Sequence, residues 1–393
     1  MSIEGKIGVS TDVIFTPFRL KNVSLRNRIV MAPMTCGTSP NQIPGPDVAA
    51  YYRRRVEGGT GLILTEDASP EHKSASSDAN VPSFFGEDSL AGWANVLKEV
   101  KAAGGHIMPQ LWHEGVERRP GSGPYPDAPS MSPSGLSRPG EKVGEPMTQK
   151  EIDDVILGFA KSAAYAKALG FDGVELHGAH GFVIDQFFWE GTNRRSDKYG
   201  GSAEKRTLFA VEVVEAVRAA TGPDFAILLR FSQWKLTDYA ARLAHTPGEL
   251  ETFLEPLAAA GVDMFHCSTR RFWEAEFPET GSDMNLAGWT KKIVGLPTIV
   301  AGSVSLNADF LTTEAAKIDR AHIQGLVDML ERGDFDLVAI GRALLVNPDW
   351  GNKVRAGLAD QLKPWAPEAC RSARTARFVN SENSAVSSLV RSV

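Results

Sequence analysis

Short apolar runs recur along the chain between residues 28 and 357, and a longer amphipathic stretch follows each. They cover residues 28–33, 61–66, 106–112, 173–177, 225–231, 264–268, 298–302 and 337–341. Each is rich in Val, Ile, Leu or Phe and bounded by Gly, Pro or polar residues, which predicts strands buried on both faces. Stretches such as 150–169 and 203–220 space their apolar residues by three and four, as helices do. Gly170 and Gly222 stand where helices commonly stop. Eight strand–helix units predict an α/β fold with a single (β/α)8 TIM barrel rather than an open sheet. The first run is followed by Met34-Thr35-Cys36-Gly37-Thr38, not by the Gly-x-Gly-x-x-Gly turn of a dinucleotide fold.

Three longer connections follow strands three, six and seven, at 114–147, 269–283 and 303–320. The first is dense in Pro and Gly, and the second carries Arg270, Arg271, Phe272 and Trp273. All three are insertions expected on the C-terminal face of the barrel, where barrel active sites are built. The barrel is expected to occupy residues 1–365, and the Ser- and Asn-rich segment 366–393 is read as a tail ordered only by docking.

Composition narrows the function classes. The chain has 393 residues, 42% hydrophobic and 23% charged, the make-up of an ordinary globular protein. A formal net charge of −6 argues against a nucleic-acid or anionic-membrane partner. Cys36, Cys267 and Cys370 are too far apart for a zinc site or a disulfide framework, which suits a reducing compartment. The first residues mix Glu4, Lys6 and Asp12 with small apolar ones and do not read as a signal peptide. No stretch approaches the roughly 20 apolar residues of a membrane span. A cytoplasmic protein with a small-molecule substrate is expected, and a homo-oligomer is compatible with the sequence.

The chemistry concentrates at His177-Gly178-Ala179-His180-Gly181, where the fourth strand ends. Two histidines three apart at a strand-to-helix turn can offer paired N–H donors to a developing oxyanion. Metal ligation with Asp185 or Glu175 is the competing reading, although neither has persuasive spacing. A lone cation, Arg230, ends the apolar run Ala226-Ile227-Leu228-Leu229, a costly placement without an anionic partner. Strands seven and eight end in Gly302-Ser303 and Gly341-Arg342, where glycine allows close backbone approach to a phosphate and Arg342 adds a charged fork.

Several ordered motifs together resemble the Old Yellow Enzyme family of FMN-containing ene-reductases. They include Phe15-Thr16-Pro17-Phe18-Arg19-Leu20, Arg28-Ile29-Val30-Met31-Ala32-Pro33-Met34-Thr35, Gln110-Leu111-Trp112, the histidine run, and Asn193-Arg194-Arg195-Ser196-Asp197-Lys198-Tyr199-Gly200-Gly201-Ser202. The likeness spans residues 14 to 350. It implies FMN as cofactor and NAD(P)H as reductant. Pro33, Met34, Thr35, Asp67, Gln110, His177 and Arg230 would line the flavin ring, and Gly302, Ser303, Gly341 and Arg342 would hold its phosphate. The Thr35 hydroxyl would donate to the flavin carbonyl, Gln110 would pair with the pyrimidine edge, and Arg230 would neutralise charge at the N1–O2 side. His177, His180 and Thr35 would be the catalytic residues, with Trp112, Phe182 and Trp273 in the substrate pocket and no metal. Arg194, Arg195 and Asp197 would form a packing brace, with Gly200 and Gly201 in a turn.

The chain departs from the family pattern at Phe182, where many members have a tyrosine that protonates the alkene. Asp67 stands where a small residue commonly packs on the flavin. Quinone, nitro or nitrate-ester reduction, which needs no such tyrosine, is the alternative activity. The branch carrying an iron–sulfur cluster is not expected, because cluster ligation needs closely spaced cysteines. A sugar-phosphate aldolase or isomerase would need a strand-end lysine or a carboxylate base, and neither stands out. A non-catalytic flavin store is the remaining reading.

Overall fold

The computed structural model describes residues 10–308, 315–366 and 369. Its centre is a closed parallel barrel whose strands follow chain order. They are β1 (Ile29–Met31), β2 (Leu62–Ala68), β3 (His106–Leu111), β4 (Gly173–His180), β5 (Ala226–Lys235), β6 (Met264–Ser268), β7 (Thr298–Ala301) and β8 (Leu337–Ile340). Each expected run holds its strand in order, and β8 closes the ring on β1 by pairing Ala339 with Val30. Two strands run further than their apolar cores. β4 continues through His180 and β5 through Lys235, because their polar ends pair with each other, His180 opposite Lys235.

The surrounding helices are α1 (Pro46–Glu57), α2 (Glu87–Ala102), α3 (Gln149–Leu169), α4 (Val183–Phe188), α5 (Ala203–Thr221), α6 (Pro247–Ala260), α7 (Leu286–Val294) and α8 (Arg320–Arg332). Two short ones, α9 (Arg342–Val346) and α10 (Trp350–Arg355), follow β8. Local chemistry fixes their ends. Thr148 and Glu151 form a reciprocal capping box at the start of α3, and Gly170 ends it in the left-handed conformation. Thr246 caps α6, which begins at Pro247 and stops at left-handed Gly261.

The barrel interior is apolar only in its lower half. Val30, Leu62, Leu64, Met108, Leu228, Met264, Ile299 and Leu337 fill it. Leu20, Val23 and Leu25 of an antiparallel hairpin (Phe18–Leu20 with Val23–Leu25) pack into the same cluster. The N-terminal end is therefore plugged. Polar side chains appear one layer higher, at the C-terminal ends of the strands: Asp67, Gln110, Glu175, His177, Arg230 and His266, all buried.

The connection at 114–147 is mostly loop, as expected, but it contains a small hairpin of Leu136–Arg138 with Glu141–Lys142. In the brace after α4, Arg195 meets Asp197 at 2.5 Å and donates to the carbonyls of Pro133 and Met147. Arg194 is not part of it. Its guanidinium pairs with Glu190, four residues back. Of the 303–320 connection, residues 309–314 fall outside the described residues. So do residues 1–9 and, apart from residues 366 and 369, the segment 366–393 with Cys370. Among the described residues no helix is long and apolar enough to cross a membrane.

Candidate active site

Residues three apart on a regular strand point to opposite faces. His177 and His180 nevertheless share one face, their ring centroids 5.1 Å apart and nearly perpendicular. The pairing of β4 with β5 shifts register between Gly178 and His180, and His180 is left-handed with φ 66°. This irregularity adds the half-turn that brings the second ring round to the first. The His180 amide donates to Ser232 Oγ at 3.0 Å, which holds the bent backbone.

Each ring has a defined partner. His177 Nδ1 accepts the Ala179 amide at 3.3 Å, so the neutral ring carries its proton on Nε2. His180 stacks on Trp234 with centroids 4.4 Å apart, and its Nε2 lies 2.8 Å from Ser268 Oγ. Arg230 Nη2 donates to that same Ser268 Oγ at 3.3 Å. Burial, reinforced by the Arg230 cation, pushes both imidazoles well below the ordinary histidine range. Both are therefore neutral donors near pH 7 rather than cations.

Below them, Glu175 bridges two side chains. It accepts from Gln110 Nε2 at 2.7 Å and contacts His266 Nδ1 at 2.7 Å. Gln110 Oε1, Arg230 Nε and His266 Nε2 are buried with no hydrogen-bond partner. Three such atoms in one layer are a signature of a polar ligand's seat, since buried polar groups are otherwise paired. On the next wall, the Thr35 hydroxyl donates to Asp67 Oδ2 at 2.6 Å. Glu66 points elsewhere and accepts the amides of Cys36 and Gly37, fixing the loop after β1.

The ends of β7 and β8 converge. Arg342 Nη2 reaches Ser303 Oγ at 3.3 Å and the Ala308 carbonyl at 2.6 Å. A Cβ at Gly302 would lie 2.4 Å from Thr269 Oγ1, so only glycine fits there. A Cβ at Gly341 would meet Met34 Sδ at 3.4 Å, which places Met34 beside that strand end. Pro33 directly precedes it and is half-buried.

Trp112 and Phe182 form one edge of the mouth. Phe182 packs edge-on against Trp112 (5.3 Å) and against His177 (5.0 Å). Trp273 stacks its ring on His322 of α8 at 3.7 Å and meets Phe272 edge-on. Among the described residues no group of three or more His, Cys, Asp or Glu is placed to hold a metal.

Sequence reasoning passed over Ser268, Trp234, His266 and the role of Glu175. Ser268 is the last residue of β6, and strand-end position was the signal that could have found it. Trp234 lies beyond Phe231, where the apolar run stops, so hydrophobicity gave no sign that the strand continues. It also missed Lys235 Nζ and Asp185 Oδ1, 2.7 Å apart and both fully buried beneath the His180–Phe182 turn.

The chain matches the NADH:flavin oxidoreductase / NADH oxidase family over residues 13–361. An NADH oxidase of Thermoanaerobacter brockii is 32% identical over 361 residues, covering 89% of this chain and 52% of that protein. The chain thus spans about half the length of that relative. An NADPH dehydrogenase of Clostridium acetobutylicum is 33% identical over 340 residues, covering 85% of this chain and 92% of that one. Among solved structures, morphinone reductase in complex with tetrahydroNAD superimposes with a TM-score of 0.76 at 27% identity, covering 91% of this chain and 93% of that one.

Proposed function

The chain belongs to the NADH:flavin oxidoreductase / NADH oxidase family, whose barrel it shares with Old Yellow Enzyme, and on that premise we propose that it is an FMN-dependent NAD(P)H oxidoreductase that reduces activated alkenes such as enones and maleimides. The barrel through residue 365 would be its flavin domain. One observation carries the reading. Two neutral histidines converge on one face beside a set of buried, unpartnered polar atoms.

The residues fit FMN. Glu175 holds the Gln110 amide nitrogen, so Oε1 is turned out as an acceptor for an N–H on the ring's pyrimidine edge. Arg230, with Nε unpartnered, offsets negative charge that accumulates at that edge on reduction. Pro33, Met34 and Thr35 would follow the ring's other side, and Gly302, Ser303, Gly341 and Arg342 would take the phosphate. When bound, FMN supplies a ring that takes two electrons from NAD(P)H and passes hydride from N5 to the acceptor, in ping-pong order.

The chain's own part is orientation and charge. Arg230 can only donate, so Ser268 Oγ accepts from it, and in this reading the serine turns its own hydroxyl proton to His180 Nε2. That would leave the His180 proton on Nδ1, as His177 keeps its own on Nε2. The two N–H groups would hold the acceptor's carbonyl oxygen and stabilise charge developing on it. Trp112 and Phe182 exclude water from one side of the mouth.

Purified protein is expected to be yellow and to release FMN, not FAD, on heating and chromatography. Recovered FAD would contradict the phosphate assignment. Under anaerobic conditions NAD(P)H should be consumed with enones and maleimides. Turnover confined to quinones, nitro compounds or nitrate esters would transfer the assignment to that class, which Phe182 favours because no proton is then delivered to carbon. A colourless protein would remove the flavin reading altogether.

Phe182→Tyr tests the missing proton donor. The ring edge is half-exposed at the mouth, beside His177, and the added hydroxyl could supply a general acid. A several-fold rise in enone turnover is expected, with little change for quinones, whose oxygens take protons from solvent. Equal effects on both substrate classes, in a variant shown to be folded, would mean that another group supplies the proton.

A further inference from the structure

Asp67 is a carboxylate in the wall of the cleft. It is buried on β2, opposite Gln110 in the strand register. The nearest polar partner is the Thr35 hydroxyl at 2.6 Å. Two other charged groups act on it, Arg230 of β5 and Glu175 of β4, the first lowering and the second raising its affinity for a proton. Glu66, its neighbour in sequence, is turned to the amides of Cys36 and Gly37 and leaves Asp67 to the cleft.

We propose that Asp67 couples proton uptake to the redox state of the flavin, with Thr35 as the group through which its protonation is felt at the ring. This rests on the flavin reading given above. The observations behind it are the shared hydroxyl proton and the burial of the carboxylate in the same polar layer as Gln110 and Arg230. An ionised Asp67 holds the Thr35 proton, so Thr35 can only accept from a neighbour. A protonated Asp67 no longer requires that proton, and Thr35 can donate outward. Reduction adds negative charge to the cleft and raises the proton affinity of a nearby carboxylate. Burial already pushes the Asp67 acid up to about 6, and the added charge raises it further.

The balance is explicit. Two electrons and the hydride proton come from NAD(P)H, and one Asp67 oxygen forms an O–H bond with a proton from solvent. That proton returns to solvent when the acceptor takes the electrons. By linkage, low pH then favours the reduced state more strongly than the flavin alone would.

The test is the midpoint potential of the FMN-loaded protein, followed by dye equilibration from about pH 5 to pH 8, for wild type and Asp67→Asn. The wild-type potential should fall more steeply with pH than that of D67N, and the two slopes should become parallel at high pH. D67N should also sit at the higher potential throughout the alkaline range, having lost a negative charge. If D67N does not fold, the reduced-minus-oxidised infrared spectrum of the wild type serves instead. A protonated-carboxyl band appearing on reduction supports the coupling. Parallel slopes in two variants that both retain FMN, or no such band, would overturn the role of Asp67 and leave the flavin reading intact. A wild type that binds no FMN would overturn that reading first.

Discussion

Replacing His180 by alanine is expected to lower kcat/KM for enone reduction by about two orders of magnitude, while the protein keeps its flavin. The magnitude follows from preorganisation. A donor fixed on a developing oxyanion is worth roughly 2.7–4 kcal/mol, and each 1.36 kcal/mol is about tenfold in rate. His180 meets that condition, because its ring is held by stacking on Trp234 and by the contact with Ser268. In the proposed assignment the flavin is held by Gln110 and Arg230 and not by His180, so absorbance should survive. His180→Asn restores an N–H donor and should recover part of the loss. The rate should show no imidazole titration between about pH 6 and 8, since burial holds both rings neutral across that span. Unchanged enone turnover in the alanine variant would remove the oxyanion role.

How far this site could be read from the sequence follows from what strands require. A strand covered on both faces must be apolar, so the run 225–231 announced β5 and the odd residue in it, Arg230, announced function. The same logic failed past Phe231. Ser232, Gln233, Trp234 and Lys235 continue the strand through polar and aromatic partners, and nothing in a hydrophobic pattern marks that. The two histidines were legible as a pair because of their type and strand-end position. Their pairing on one side was expected from the strand-to-helix turn, but its cause was not, since three-residue spacing on a regular strand would separate them and the convergence depends on the register shift and on the positive φ of His180. Trp273 was legible as an aromatic residue in an insertion at the mouth, but its stacking partner His322, distant in sequence, was not.

The second large effect concerns the buried pair beneath that turn. Lys235→Met or Asp185→Asn should each destabilise the protein by about 3–5 kcal/mol, because either change strands a buried polar partner. Lys235→Met combined with Asp185→Leu should cost less than the sum, since no uncompensated charge remains. The pH dependence separates the single variants. Burial raises the Asp185 acid to about 6, above the ordinary 3.8, and Lys235 is what limits the rise. The folded state therefore binds this proton more tightly than the unfolded chain, and the associated stability falls as pH climbs from about 4 to 6. Without Lys235 the acid rises further, so Lys235→Met should keep losing stability at higher pH than wild type does. Asp185→Asn should lack that dependence. Denaturation midpoints at acid and neutral pH measure both effects, and single variants within about 1 kcal/mol of wild type would refute the account. Activity should fall with stability, for a structural reason. Asp185 accepts the Gly181 amide at 2.7 Å, Lys235 donates to the Ser232 carbonyl at 3.2 Å, and Ser232 Oγ holds the His180 amide. The ion pair thus anchors both backbone segments that aim the second histidine, and a variant that remains folded should misplace that ring before it loses its flavin.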